Sequence, residues 1–172
     1  MLRPSLFLVW CFASLSCAQE LTVPTDIRTS LQENDIFIDA GTRPVLKLMG
    51  YGWGDNGHQM GWSGRWITHH EADVVLTVDQ LSDFTVTLRA APALKMDKLQ
   101  SIGLFINNRF VAKWVCPFDP DPQIYTGSIP AEQLRLGENK LTLRIGYTTV
   151  PGGREMRRLG LQVDYIHLRP DA

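Results

Sequence analysis

Short segments in which apolar and polar residues alternate constrain the fold of this chain more than any other feature of its sequence. Every second residue is apolar over 84–90, and the same period of two recurs over 141–145 and 159–165. Successive side chains of a β-strand point to opposite faces, so each segment predicts a strand with one buried and one solvated face. In the last segment, this pattern places Gln162 and Asp164 on the solvated face. Three such strands favour antiparallel sheets.

The segments between these strands carry turn residues and only one short helical signal. Asn107-Asn108-Arg109 separates two apolar runs, and asparagine tolerates the positive φ angles that a tight hairpin requires. Residues 130–134 predict about one helical turn, which starts with a proline and ends before Gly137. Many short strands without a long helix predict an all-β fold, an antiparallel β-sandwich of the jelly-roll type.

The first eighteen residues have the features of an export signal. Arg3 is their only charged residue, and it precedes an apolar run over 6–15 that is too short to cross a bilayer. The small residues that follow predict cleavage after Ala18 and a secreted or periplasmic mature protein. Acylation of Cys17 is the alternative and would anchor the protein to a membrane, although Ser14 stands where a lipoprotein signal usually has leucine.

The rest of the chain is long enough for one domain. Residues 19–34 are polar and without a clear period, so we expect an extended lead-in there and the β-sandwich over 35–172. The net charge of −1 gives no basic surface, and no nucleic-acid partner is expected. Cys116 is the only cysteine after the predicted cleavage site, which excludes an internal disulfide in the mature chain. The apolar residues before it predict a buried thiol.

The densest collection of chemically versatile side chains lies over 51–71. It contains three tryptophans together with amide, carboxylate, imidazole and guanidinium groups. An aromatic ring can stack on the apolar face of a sugar while such polar groups bind its hydroxyls, so the composition predicts a carbohydrate site. Five glycines in the same span predict that it is a loop. The expected ligand-binding residues are Trp53, Asp55, Asn56, His58, Trp62, Arg65 and Glu71, with Arg158 from a basic cluster later in the chain.

Enzyme and metal motifs are not recognisable in the sequence. Ser63 lies between glycines, but their spacing differs from that of a nucleophile elbow. Among the nearby histidines and carboxylates, only His69 and Glu71 would share one side of a strand as zinc ligands. Asp119 and Asp121 alternate with prolines, which is more typical of a stiff turn than of a calcium site. We therefore expect no catalytic residues, no metal and no cofactor.

Short motifs of turn and core residues follow one another in a recognisable order over about 45–170. They are Gly52-Trp53, Arg65-Trp66, Ala72-Asp73-Val74-Val75-Leu76, Ile106-Asn107, Ile129-Pro130, Leu134, Gly137-Glu138-Asn139-Lys140-Leu141, Pro151 and Arg158-Leu159-Gly160-Leu161. In this order they resemble the β-sandwich modules attached to bacterial membrane glycosyltransferases and other polysaccharide-related proteins. The resemblance implies a galactose-binding-like jelly roll, in which Arg158 matches the arginine of the modules.

The chain departs from these modules at three places. Family members often carry a glutamate shortly after the first Gly-Trp, where this chain has Asp55, His58 and Gln59. The aspartate usual before the final Arg-Leu-Gly is missing, and Asn108 replaces the glycine that follows the hairpin asparagine. A site formed by the family's acidic residues would therefore be altered here.

Composition, leader and resemblance together predict an exported, non-catalytic carbohydrate-binding β-sandwich. We expect it to bind a carbohydrate or polysaccharide as an accessory to surface polysaccharide synthesis, export or recognition. The alternative is a structural or protein-docking domain that associates with a membrane glycosyltransferase, a secretion partner or another envelope protein, as the attachment of the similar modules to larger enzymes implies. No transmembrane helix is expected in the mature chain.

Overall fold

The computed structural model describes residues 27–59, 62–94, 98–153 and 155–171, without the side chains of Arg28, His58 and Gln59. The chain divides into two units, residues 1–30 and 31–172. In the first unit the structure describes one 3-10 turn, Ile27–Ser30. The predicted export signal and the first half of the predicted lead-in, residues 19–26, lie outside the described residues.

The second unit is built from short strands. In its described part they are β1 Ile36–Asp39, β2 Trp53–Gln59, β3 Trp62–Ile67, β4 Glu71–Val78, β5 Phe84–Pro92, β6 Gln100–Ile106, β7 Arg109–Cys116, β8 Gln123–Ile129, β9 Gly137–Ile145 and β10 Leu161–Pro170. Two 3-10 turns, Pro44–Leu48 and Ala131–Gln133, lie between them, and the second is the helical turn that the sequence predicts. Across the described ranges, no helix has the length and apolar character needed to cross a membrane.

The strands form two antiparallel sheets that make a β-sandwich of the jelly-roll type, as the sequence predicts. One sheet has the order β4-β9-β6-β7, and the other has the order β2-β3-β10-β5-β8. β10 is the centre of the larger sheet, because β5 pairs along one of its edges while β3 and β1 share the other. β3 pairs with the beginning of β10, and β1 pairs with its second half.

The two inner faces contribute alternate apolar side chains to one core. Val74 on β4, Val86 on β5 and Leu143 on β9 are all 0% exposed. This burial confirms the alternation predicted over 84–90. Over 141–145 the apolar residues are buried as predicted, but Thr142 is only 3% exposed, and its hydroxyl donates to Asp73 Oδ1 at 2.6 Å. Each fully buried side chain of this size stabilises the fold by about 2 kcal/mol relative to an exposed one, so the interlocked faces hold the sheets together.

β10 departs from the predicted alternation. Gln162 is 0% exposed and Asp164 is 5% exposed, where the sequence pattern placed both in solvent. The register of β10 against β5 shifts after Val163, and the central position of the strand leaves little of either face open. The Gln162 amide donates to the carbonyl of Gly57 at 2.7 Å, and Arg89 forms an ion pair with Asp164. These partners allow polar side chains to be buried.

The β6–β7 hairpin has the two-residue turn that its sequence predicts. Asn107 and Asn108 have φ angles of 50° and 67°, both in the left-handed region. Such a pair is typical of a type I′ turn, whose twist matches that of the flanking strands. The Asn107 carboxamide also accepts from the backbone N–H of Lys140 at 3.1 Å, which ties the hairpin to β9.

Candidate functional site

Residues 51–71 contain a β-hairpin, β2–β3, rather than the predicted loop. The glycines in it allow close packing. A Cβ atom at Gly57 would lie 2.3 Å from Nε1 of Trp66, and one at Gly64 would lie 2.4 Å from the carbonyl oxygen of Val163. The prediction was wrong because glycine marks close approach as well as flexibility.

A surface cleft of about 550 Å³ lies where the segments before β2, before β4 and before β10 meet. Glu71 and Arg158, two of the predicted ligand-binding residues, line it. The complete lining is Tyr51, Thr68, His69, His70, Glu71, Thr148 and Arg158. The cleft therefore combines residues that lie far apart in the sequence.

The aromatic part of the cleft is formed by Tyr51 and His69. The side chain of Tyr51 is exposed (58%), and its ring centroid lies 4.8 Å from that of His69 at an interplanar angle of 54°. The Thr68 hydroxyl lies 3.1 Å from His69 Nδ1, so the imidazole is held from two sides. The two rings give the cleft an accessible aromatic surface.

The polar part of the cleft contains charges of both signs. Arg144 Nε lies 3.2 Å from Glu71 Oε2, and both side chains are about half exposed. Arg158 is exposed, and its Nε donates to the Thr148 hydroxyl at 3.0 Å. Carboxylate, guanidinium, hydroxyl and imidazole groups are therefore present beside the aromatic surface, and all of them can exchange hydrogen bonds with a polar ligand.

The accessible ring in the cleft is Tyr51, not a tryptophan. Trp53 packs against the core, and its Nε1 donates to the carbonyl of Asp73 at 2.7 Å. Trp62 is only partly buried, but its Nε1 atom is enclosed by the protein. Trp66 is 4% exposed, and Trp114 packs against the core.

Both aromatic residues of the cleft, Tyr51 and His69, were absent from the predicted site, as were Thr68, His70 and Thr148. The signal that could have identified Tyr51 is the glycine after it. Gly52 has a φ of +90°, and a Cβ atom there would lie 1.9 Å from the carbonyl oxygen of Glu71. An aromatic residue beside a glycine that must adopt such a conformation is positioned at a turn, and turns are exposed.

Arg65 has a structural position rather than the predicted ligand-binding one. It is 8% exposed, its Nε donates to the carbonyl of Ala40 at 3.2 Å, and its Nη1 donates to the carbonyl of Gly54 at 2.8 Å. Burial lowers the pKa of its guanidinium from the usual value. The side chain holds two backbone segments together, and it is not accessible to a ligand.

Two other predicted residues, Asp55 and Asn56, lie on β2 and do not line the cleft. Asp55 has a largely exposed side chain whose Oδ2 lies 3.3 Å from Arg157 Nη1. Asn56 donates its amide hydrogen to the carbonyl of Gly41 at 2.7 Å. The side chain of His58 lies outside the described part of the structure. Hydrogen bonds from Arg157 also hold the pKa of Glu155 at about 2, so the surface next to Arg158 is an ionised network.

Cys116 and the Asp-Pro segment have the local structures that the sequence predicts. Cys116 is 0% exposed at the end of β7, and burial raises the pKa of its thiol. Asp119 Oδ1 accepts from the backbone N–H of Asp121 at 2.9 Å, which is the hydrogen bond of a stiff turn. Within the described ranges, no three histidine, cysteine or carboxylate side chains are grouped as metal ligands.

Comparison with known proteins gives structural relatives only. No protein-family model matches this sequence, and no curated protein is similar to it. The GH26-CBM35 β-(1,4)-mannanase of Podospora anserina matches with a TM-score of 0.56 at 13% identity, over 82% of this chain and 28% of the mannanase. The CBM36-1 domain of a multidomain xylanase from the hindgut metagenome of Trinervitermes trinervoides matches with a TM-score of 0.54 at 12% identity, over 81% of this chain and 99% of the domain.

A third match is the carbohydrate-binding module CBM6cm-2 from Cellvibrio mixtus lichenase 5A in complex with cellotriose. It has a TM-score of 0.50 at 8% identity and covers 80% of this chain and 98% of the module. The chain thus spans about a quarter of the mannanase but almost the whole length of the two isolated modules. At these identities the likeness shows the fold, a jelly-roll sandwich shared with carbohydrate-binding modules.

Proposed function

We propose that this protein is a non-catalytic carbohydrate-binding β-sandwich that binds its ligand in the cleft containing Tyr51, His69, Glu71 and Arg158. The fold is shared with carbohydrate-binding modules, one of which is in complex with cellotriose. Fold alone does not define function, so the proposal depends on the cleft.

One observation carries the proposal: the exposed Tyr51 ring lies beside groups that bind hydroxyls. A sugar presents an apolar C–H face and a rim of hydroxyls, and a binding site needs both kinds of partner. Tyr51 and His69 supply the first, while Glu71 and Arg158 supply the second. The proposed site therefore keeps Glu71 and Arg158 from the sequence-based prediction. The ring that stacks on the sugar is Tyr51, instead of the predicted Trp53 and Trp62.

The proposal includes a cellular role. The leader predicted over 1–18 exports the protein to the periplasm or the cell exterior, where it assists the synthesis, export or recognition of a surface polysaccharide. Export and cleavage are tested by mass spectrometry of the protein recovered from outside the cytoplasm. A chain that begins at Gln19 supports cleavage after Ala18, whereas a chain that retains the leader contradicts it.

The binding proposal is tested by titrating the purified protein with cellotriose, mannotriose, xylotriose and the hits of a glycan array. We expect Tyr51→Ala to weaken binding by about tenfold, because an exposed ring at the centre of a site contributes most of its contact. Phe118→Ala is the matched control, since Phe118 is also about half exposed but does not line the cleft. Neither substitution should change the urea midpoint by more than a few tenths of a molar.

The contrary result is a folded protein that binds no glycan on the array, or one whose affinity is the same in wild type and Tyr51→Ala. The first would overturn carbohydrate binding and favour the alternative of a protein-docking domain. The second would show that sugar binds elsewhere on the sandwich.

A further inference from the structure

A strip of aromatic and charged side chains crosses the outer face of the four-stranded sheet, starting at the cleft. We use the term strip for Glu71 on β4, Arg144 on β9, Phe105 on β6 and Phe110 on β7. The strand register places Glu71 opposite Arg144 and Phe105 opposite Phe110. Since β9 and β6 are also neighbours, the strip has one member on each of the four strands.

Each member of the strip contacts the next. Arg144 forms its ion pair with Glu71, and its Cζ atom lies 4.3 Å from the centroid of the Phe105 ring. The Phe105 and Phe110 rings meet edge to face, with centroids 5.7 Å apart and an interplanar angle of 72°. The guanidinium therefore lies between a carboxylate and an aromatic ring, and its half-exposed side chain retains N–H groups that can donate hydrogen bonds to a ligand.

The strip is open to solvent, although its members are large. Phe110 is 56% exposed, and the side chains of Arg144 and Glu71 are 50% and 45% exposed. Gly103 on β6 lies opposite Arg144 and opposite Lys113, and its lack of a side chain keeps the face flat beside the two rings. An ordered arrangement of exposed rings and charges adds little to stability, which points to a binding role.

We propose that the strip continues the cleft and binds the next units of an extended glycan chain. This inference rests on the proposed function. Glu71 belongs to both surfaces, so a chain that starts on Tyr51 can pass over Glu71 and Arg144 to the two phenylalanines. The strip spans three strand spacings, about 14 Å, which exceeds a single sugar ring.

The chemistry of the strip matches a chain of sugars better than a single sugar. Two hydrogen-bonding side chains, Glu71 and Arg144, are followed along the strip by two apolar rings, Phe105 and Phe110, and successive sugars present both hydroxyls and apolar faces. The ligand class is therefore an oligosaccharide or polysaccharide chain that lies across the strands, rather than a single sugar.

The test measures affinity against chain length. Manno-, cello- and xylo-oligosaccharides of two to six units, and shorter fragments of any glycan-array hit, are titrated into wild type, Phe110→Ala and Arg144→Gln. We expect the affinity of wild type to rise with length. Phe110→Ala should lower the affinity for the longest oligosaccharide by about tenfold and leave that for the shortest unchanged. Arg144→Gln should also lower the affinity for the longest oligosaccharide. Because Arg144 pairs with Glu71 of the cleft, only Phe110→Ala is expected to leave the affinity for the shortest unchanged.

Phe118→Ala is again the matched control. It removes a phenylalanine of similar exposure beyond the far end of β7, roughly 20 Å or more along the chain from Phe110. An affinity that does not depend on chain length, or equal affinities of wild type and Phe110→Ala for the longest ligand, would overturn the strip but leave the cleft intact. If wild type binds no glycan at all, both the cleft and the strip are overturned. Failure of the strip alone is therefore distinguishable from failure of the proposed function.

Discussion

The buried carboxylate of Asp35 allows a quantitative test of how polar groups stabilise this sandwich. Its side chain is 1% exposed, and it accepts hydrogen bonds from Arg169 Nη2 at 2.9 Å and from the backbone N–H of Gln32 at 3.0 Å. His167 Nε2, also buried, lies 2.9 Å from the same carboxylate. The substitution Asp35→Asn removes the charge and nearly preserves the shape.

The magnitude follows from the pKa of Asp35. Burial raises this pKa, but hydrogen bonds from Arg169, from Gln32 and from His167 outweigh the effect and lower it from 3.8 to about 2. A difference of one unit corresponds to about 1.4 kcal/mol, so ionised Asp35 stabilises the fold by roughly 2 kcal/mol. Because the folded pKa is the lower one, this stabilisation is complete above 3.8 and is lost as the pH falls through 2.

Urea unfolding of wild type and Asp35→Asn over a series of pH values measures this contribution. Subtracting the unfolding free energy of Asp35→Asn from that of wild type removes most of the contribution from titration of the other carboxylates, because both proteins contain them. We expect the difference in unfolding free energy to be constant near neutral pH and to shrink by about 2 kcal/mol as the pH approaches 2. If the difference in unfolding free energy stays constant down to that pH, the hydrogen bonds to ionised Asp35 do not stabilise the fold as argued.

Three further predictions concern close packing, buried hydrogen bonds and burial of the thiol in the sandwich. Gly57→Ala should lower the unfolding free energy by about 1–3 kcal/mol, because its Cβ atom would lie 2.3 Å from Nε1 of Trp66. Gly103→Ala, whose Cβ atom would have its nearest contact at 3.2 Å, should lower it much less. Equal urea midpoints for the two variants would contradict this prediction. Arg65→Met should cost about 2 kcal/mol by leaving two carbonyls without their donor, and an unchanged melting temperature would show that these hydrogen bonds are dispensable. The Cys116 thiol should react with a thiol reagent only after unfolding, so rapid labelling of the native protein would contradict its burial.

Local patterns predicted the fold well where one strand face is buried and the other is wet. The alternation over 84–90 and the asparagine pair of the hairpin both correspond to observed structure, since side-chain period and backbone φ are local properties. The burial of Gln162 and Asp164 could not be predicted in this way, because it depends on a register shift and on the central place of β10 among strands distant in sequence.

The cleft was predictable only in part, for a related reason. Glu71 lies in a segment whose composition indicated a site, and Arg158 came from a separate basic cluster. Their meeting depends on the packing of loops that the sequence does not reveal. Composition also favoured tryptophan as the stacking residue, whereas the hydrogen bond of Trp53 to Asp73 turns its ring towards the core and leaves Tyr51 exposed.

β10 follows the other described strands in the chain, yet it is the strand with which β1, β3 and β5 pair. Asp35 and His167, which meet across this part of the sheet, are 132 residues apart in the chain. Contacts of such long range slow folding, because the entropy of closing a large loop is lost before the contacts form. A nascent chain that lacks residues 161–170 therefore holds three strands without their common partner, and the larger sheet can form only after these residues have been synthesised.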